Sequence, residues 1–454
     1  HKEYRRQRQM CIRDSNSVST NRNFTITSST TGTIEVATSG QTLTITGASD
    51  STSGALTKTG SGTLTLSGTN LYTGATTVNA GTLRVTGSGT LGNTSSLLTI
   101  SSATVDIQNA LTIGSLSMSG TSPAITNASG TSSLVVNGTA TIANSITTSG
   151  AQTYTGAVTL GAASSLTTGS SAGNILFSST VSGANTLSTT TTGDTTFTGA
   201  IGGTPLTGLT INTATLSAAA ITLATNNAIS ITNSSTGSIT GIIAGTGVTL
   251  TKAGAGPLTL SAANTYGGAT TVNAGTLRVT GSGTLGNTSS LLTISSATVD
   301  IQNALTIGSL SMSGTSPAIT NASGTSSLVV NGTATIANSI TTSGAQTYTG
   351  AVTLGAASSL TTGSSAGNIL FSSTVSGANT LSTTTTGDTT FTGAIGGTPL
   401  TGLTINTATL SAAAITLATN NAISITNSST GSITGIIAGT GVTLTKAGAG
   451  VLTL

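Results

Sequence analysis

Residues 58–85 read KTGSGTLTLSGTNLYTGATTVNAGTLRV, and residues 252–279 read KAGAGPLTLSAANTYGGATTVNAGTLRV. In both, short runs of alternating Thr and aliphatic residues (TLTL, TTV, TLRV) lie between Gly and Asn breakers. Such runs are strand signals, because successive side chains of a strand point to opposite faces. A third copy begins at Lys446, and the copies differ in an ordered way. Thr59/Ala253, Ser61/Ala255 and Thr63/Pro257/Val451 change, two residues apart, whereas Leu64/Leu258/Leu452 and Leu66/Leu260/Leu454 do not. Changing and constant positions alternate as the two faces of a strand do. The leucines are therefore the expected inward set. Pro257 has no N–H to give to a ladder, which suits the first residue of a strand.

Working outward, residues 74–256 recur without a change as 268–450, an offset of 194. A solenoid core tolerates hydrophobic exchange when volume and pattern persist. Identity that extends to surface Ser and Thr reflects duplication history or assembly of the sequence, not mechanism. The chain divides on this reading into residues 1–15, a foreign stretch; 16–56, the truncated start of the repetitive body; 57–250 and 251–444, two repeat units; and 445–454, the start of a third.

Residues 1–15 (HKEYRRQRQMCIRDS) resemble nothing downstream. They hold the single His (His1), the single Cys (Cys11), five of the 11 basic residues and two of the eight acids. The alternatives are a basic arm for nucleic acid or anionic membrane and a scar of sequencing. Residues 10–15, MCIRDS, look like the translation of a transposon end, so the stretch is excluded from functional reasoning. The body keeps Arg22, Lys58, Arg84, Lys252, Arg278 and Lys446 against Glu35, Asp50, Asp106, Asp194, Asp300 and Asp388, a net charge of zero. No apolar segment follows the basic start as a signal peptide requires, and no run is long enough for a transmembrane helix.

Only 4% of the 454 residues are charged and 2% aromatic, where roughly 25% charged is ordinary. Strand runs recur throughout, as at 42–46 (TLTIT), 104–107 (TVDI), 157–160 (AVTL) and 209–211 (LTI), and no segment sustains a 3.6-residue period. A sandwich of this length would need more aromatic core. The expected fold is all-β, a parallel β-helix or β-solenoid, in which each coil contributes a few inward aliphatics and its neighbours complete the core. At about 20–25 residues per coil the body would have roughly 18–22 coils, stacked into about 90–105 Å at ~4.8 Å each. End coils of such a stack expose unpaired strands, so native caps are expected outside this chain.

The two quoted segments closely resemble the autotransporter-associated β-strand repeat of Gram-negative passenger domains. They share its Gly-x-Gly, Leu-Thr-Leu-Ser, Asn-x-Tyr-x-Gly, Thr-Thr-Val-Asn-x-Gly and Thr-Leu-x-Val. The intervening 174–183, 195–206 and 238–251 more loosely resemble β-helical repeats of large adhesins. The resemblance implies a right-handed β-helix, secretion across two membranes and exposure at the outer-membrane surface, with an anchoring C-terminal barrel outside this fragment. It implies no catalytic residue. Gly60, Gly62, Gly254 and Gly256 are expected at turns. Tyr72 and Tyr266 are expected as packing residues with a wet hydroxyl, and Asn79 and Asn273 as turn or ladder residues.

The remaining chemistry is sparse. Glycoside hydrolysis needs a second carboxylate across the bond, and Asp106, Asp194, Asp300 and Asp388 each stand alone in sequence. Asp106 is expected on the outer face of its strand. The body has no His or Cys for a metal site or as partner of a nucleophile. Lys58, Lys252 and Lys446 precede their glycines, unlike a phosphate loop. A neutral body lacks the basic, aromatic face that nucleic acid requires. Sequons at Asn23, Asn93, Asn127 and Asn137 match by chance in so Asn/Ser/Thr-rich a chain. No catalytic, metal or cofactor site is expected, and no membrane insertion by this fragment. The leading function is the stalk of a surface adhesin that gives reach, adhesion or aggregation toward host or neighbouring-cell surfaces or glycans. The alternatives are a soluble module for ice or polysaccharide surfaces and the stalk of a larger enzyme. The Thr-x-Thr runs motivate the soluble module, and their drift along the sequence argues against a regular array.

Overall fold

The computed structural model describes residues 10–12, 17–169, 173–363 and 367–454. His1 and the side chain of Cys11 lie outside the described residues, as does the rest of the foreign stretch save the backbone of Met10–Ile12. Two compact units, His1–Thr222 and Leu223–Leu454, divide the chain. Each is a parallel β-solenoid, and together they hold about 20 turns without a helix among the described residues. No helix is long and apolar enough to cross a membrane.

Within each unit three strands per turn stack on their equivalents one turn away. In the first unit, Leu43, Leu64, Leu83, Val105, Ile125 and Ile146 follow one another in register on one face. Leu56, Thr76, Leu98, Leu116, Ala140, Val158 and Val181 do so on a second. Leu111, Leu134, Gln152, Ile175, Thr195 and Leu216 form the third. Partners lie from 18 residues apart (Leu97 and Ser115) to 25 (Val18 and Leu43), because loops of different length return to the same three faces.

The core is the sum of these inward files. Leu64, Leu66, Leu258 and Leu260 are fully buried, as their constancy among the copies implies. Pro257 opens the strand Pro257–Leu260, where its missing N–H leaves no gap in the ladder. Aromatic residues thicken the third face. Tyr154, Phe177 and Phe197 are register partners, with ring centroids 5.2 and 4.7 Å apart and nearly parallel planes. The second unit repeats this stack with Tyr348, Phe371 and Phe391.

Corners are tight enough to require glycine. Gly254 has φ +76°, and a Cβ there would sit 2.3 Å from the carbonyl oxygen of Asn233 one turn away. That neighbour is backbone in a ladder and has no freedom to retreat. Gly254→Ala is expected to lower stability by more than about 1 kcal/mol, measured by urea denaturation of the full chain. An unchanged midpoint would show that the corner relaxes.

Candidate functional site

Lys58 shares its strand with Leu56, and strict alternation turns both inward. The side chain is completely enclosed. Its ammonium donates to the carbonyl oxygens of Thr59 (2.8 Å), Gly60 (2.8 Å) and Ala80 (3.2 Å). Three protons thus meet three acceptors, which is what a buried cation requires. Two carbonyls belong to its own corner and the third to the corner one turn on. Lys252 repeats the cage with Ala253, Gly254 and Ala274 at 2.6, 2.7 and 3.2 Å. Lys446 donates to Ala447 and Gly448, both at 2.8 Å. Burial pushes Lys58 and Lys252 down from 10.5 to about 8, with Glu35 opposing the shift at Lys58. The lysine thus ties two successive turns at the glycine corner, a role that the sequence reading missed. The signal was present: alternation in ALTKT puts Lys58 on the leucine side.

The rest of the motif is also internal. Asn70 donates its amide to the carbonyls of Gly68 (3.0 Å) and Thr90 (2.9 Å), bridging its own turn and the next. Asn79 and Asn273 are exposed at corners. The backbone N–H of Asn79 donates to Lys58 O (3.0 Å) and that of Asn273 to Lys252 O (2.9 Å). Tyr72 and Tyr266 pack in the core, and the expectation of a wet hydroxyl is corrected. The Tyr72 hydroxyl is paired with Thr76 Oγ1 at 2.6 Å, and Tyr266 with Thr270 at 2.5 Å, all buried. The motif supplies an inward Thr four residues after the Tyr, so the hydroxyl is satisfied without water. Burial pushes both phenols up, with the Thr bond partly opposing.

Asp106 points away from Val105 and Ile107, as an outer-face residue does, but it is buried. It accepts from Arg84 Nε (2.8 Å), Gln108 Nε2 (2.9 Å) and the backbone N–H of Ala128 (2.9 Å). Arg84 comes from the preceding turn in direct register, so neighbouring coils cover the carboxylate that sequence leaves alone. Asp300 has the same set in Arg278, Gln302 and Ala322. The backbone N–H groups of Asp194 and Asp388 accept no acid partner; they donate to Asn174 and Asn368 Oδ1 at 2.9 Å. Among the described residues no three His, Cys, Asp or Glu gather as for a metal ion. Asp300→Ala is expected to cost about 1–3 kcal/mol, chiefly by orphaning the Ala322 N–H, with Arg278 contributing little because it is half-exposed. Thermal melts at low and high salt test this, and a loss that vanishes in salt would assign it to the ion pair instead.

The outer faces carry order of a different kind. In the first unit Thr33, Thr57, Thr77, Thr99, Ser117, Thr141, Thr159 and Ser182 are successive register partners. The expectation of drifting threonines is therefore corrected. Loop lengths absorb the irregular sequence spacing, and the ladder restores one hydroxyl per turn at ~4.8 Å. An apolar cavity of about 420 Å³ lies among the first turns, lined by Phe24, Ile26, Ile34, Ile45 and Leu56.

Comparison with known families matches residues 56–85 and 250–279 to the passenger-associated-transport-repeat. No curated protein and no solved structure matches the chain. The matched residues are those of the two lysine cages, the paired tyrosines and the glycine corners. The chain is thus a parallel β-solenoid carrying two passenger-associated transport repeats, the makeup of an autotransporter passenger β-repeat protein.

Proposed function

We propose that this chain is the stalk of a secreted or surface-displayed autotransporter-type adhesin, outside the cell and attached to the outer membrane by a barrel elsewhere in the protein. The observation that carries the reading is that both passenger repeats are turns of one kind of solenoid, locked internally by their own motif residues. Tyr72, Tyr154, Tyr266, Tyr348, Phe177, Phe197, Phe371 and Phe391 are all spent on the core, and charge is sparse outside it. Such a chain supplies reach and many weak polar contacts to host cells, neighbouring cells or their glycans. Its role is structural and not catalytic, with no nucleic-acid partner. The test is to place the chain between a signal peptide and an outer-membrane barrel in a Gram-negative host. Surface labelling and increased cell–cell or cell–glycan adhesion are expected. Retention inside the envelope, or display without any gain in adhesion, would overturn the reading.

The in-register hydroxyl file favours a second reading, a module that binds ice or a polysaccharide surface. Thermal hysteresis and pull-down on crystalline polysaccharide test it, and inactivity in both ends it.

A further inference from the structure

Residues 249–253 and 443–447 are the same sequence, TLTKA, 194 residues apart. Both lie in the second unit, yet they do not lie on the same face. From Leu250 the register runs through Thr270, Leu292, Leu310, Ala334, Val352, Val375, Ile395 and Ile415 to Ile437, nine turns on one face. The strand Thr443–Ala447 is not in that column. It pairs with Ala422–Asn427, whose column runs back through Ile405, Thr383, Leu360, Ile340, Ile319, Val299 and Leu277 to Leu258. Its partner repeats the shift. Leu258 is on this second face, but its equivalent Leu452 closes the third, after Leu305, Leu328, Gln346, Ile369, Thr389, Leu410 and Gly431.

We infer that the 194-residue unit is a screw operation of nine and one-third turns. Each successive copy presents its identical side chains one face further round. Strands Ala334–Thr342 and Val352–Thr362 show how the faces are told apart. The first half of each pairs in the first column and the second half in the next, with a register shift between Ile336 and Asn338 at the corner.

The slip has a consequence for the outer surface. On the first face Ser230, Thr251, Thr271, Thr293, Ser311, Thr335, Thr353 and Ser376 form one file. It begins in one copy, at Ser230, and continues in the next. On the second face Ser339, Ser359, Ser382, Thr404, Ser424 and Thr445 form another, again crossing from one copy into the next. A whole number of turns per copy would bring the start of each copy's file back above its own earlier end. The extra third of a turn instead splices the late file of one copy to the early file of its successor. The hydroxyl surface therefore moves round the solenoid by one face per copy, and a given feature returns to its starting face after three copies.

The experiment uses the full chain with Cys11→Ser, so that introduced thiols are the only ones. Two double variants carry thiol-reactive gold clusters at outward hydroxyl positions, Thr251→Cys with Ser376→Cys and Thr251→Cys with Thr445→Cys. Electron cryomicroscopy is expected to show the first pair on one edge. The second pair should be turned by about 120° and lie about 45 Å apart along the stack, at ~4.8 Å per turn. Both pairs on one edge, or the first pair on different edges, would overturn the inference. A third variant, Ser424→Cys with Thr445→Cys, joins register neighbours and should close a disulfide under mild oxidation. Failure to close would remove the second-face assignment of the terminal strand, and the inference with it.

Discussion

Phe371→Ala is expected to lower stability by about 3–5 kcal/mol. Its ring is sandwiched between Tyr348 at 5.2 Å and Phe391 at 4.7 Å, and it is fully buried. Truncation removes both ring contacts and leaves a cavity that the ladders above and below hold open, because their strands are fixed at the spacing of the sheet. A solenoid is stabilised by neighbouring turns, so the loss should be local. Hydrogen exchange should quicken in the turns around 346–391 and stay slow around the equivalent Phe177. Phe371→Leu should recover a large part of the loss by refilling the volume. An alanine variant within 1 kcal/mol of the parent, on the scale of a conservative core exchange, would show that the stack is not a unit of the core.

Lys252→Met is expected to destabilise by about 2–4 kcal/mol. The methionine fills the channel of the lysine stem, but the carbonyls of Ala253, Gly254 and Ala274 lose the donor that joins them. The outcome has a competing limit, since replacing a buried charge with an apolar side chain is sometimes neutral. Here the acceptors are backbone atoms that remain in place after the substitution, which decides the sign. The pH dependence is a separate signature. The folded-state value is lowered to about 8 against 10.5 in the unfolded chain. Below pH 8 both states hold the proton and the cost of enclosing the charge is fully present. Between pH 8 and 10.5 the unfolded chain binds more protons, so stability rises with pH across that window. Melting temperature against pH should show this rise in the parent and a shallower one in Lys252→Met, where Lys58 alone retains it. Equal slopes in the two proteins would mean that Lys252 titrates as an exposed lysine does.

Both predictions concern residues of very different legibility. The aromatic stack joins residues some 20 positions apart whose intervals are unequal, Tyr348 to Phe371 and Phe371 to Phe391. No fixed period announces it. The caged lysine was readable in principle, because alternation alone turns it inward, but composition favours a solvated lysine, and only three converging carbonyls reverse that. Asp106 is an intermediate case. Its outward direction follows from TVDI, whereas its cover is supplied by Arg84 on the turn before. The hydroxyl files went unread for the same reason as the stack: loops of variable length hide in sequence what the ladder aligns.

Sequence by itself determined the class of object. Alternating Thr and aliphatic residues between glycine and asparagine corners dictate strands, and the want of charge and aromatics dictates a thin core completed by neighbouring turns. The constant leucines, the proline at a strand start and the glycine corners were determined at that level too, since each depends on local backbone geometry. Tertiary structure decided everything that depends on register. Whether threonines form a file, whether an acid is covered, what a buried ammonium touches and which face a repeated strand occupies are all fixed by the number of residues each loop consumes before returning to its column. That number is set by packing of whole turns against one another, and an identical stretch of sequence 194 residues later can meet a different face.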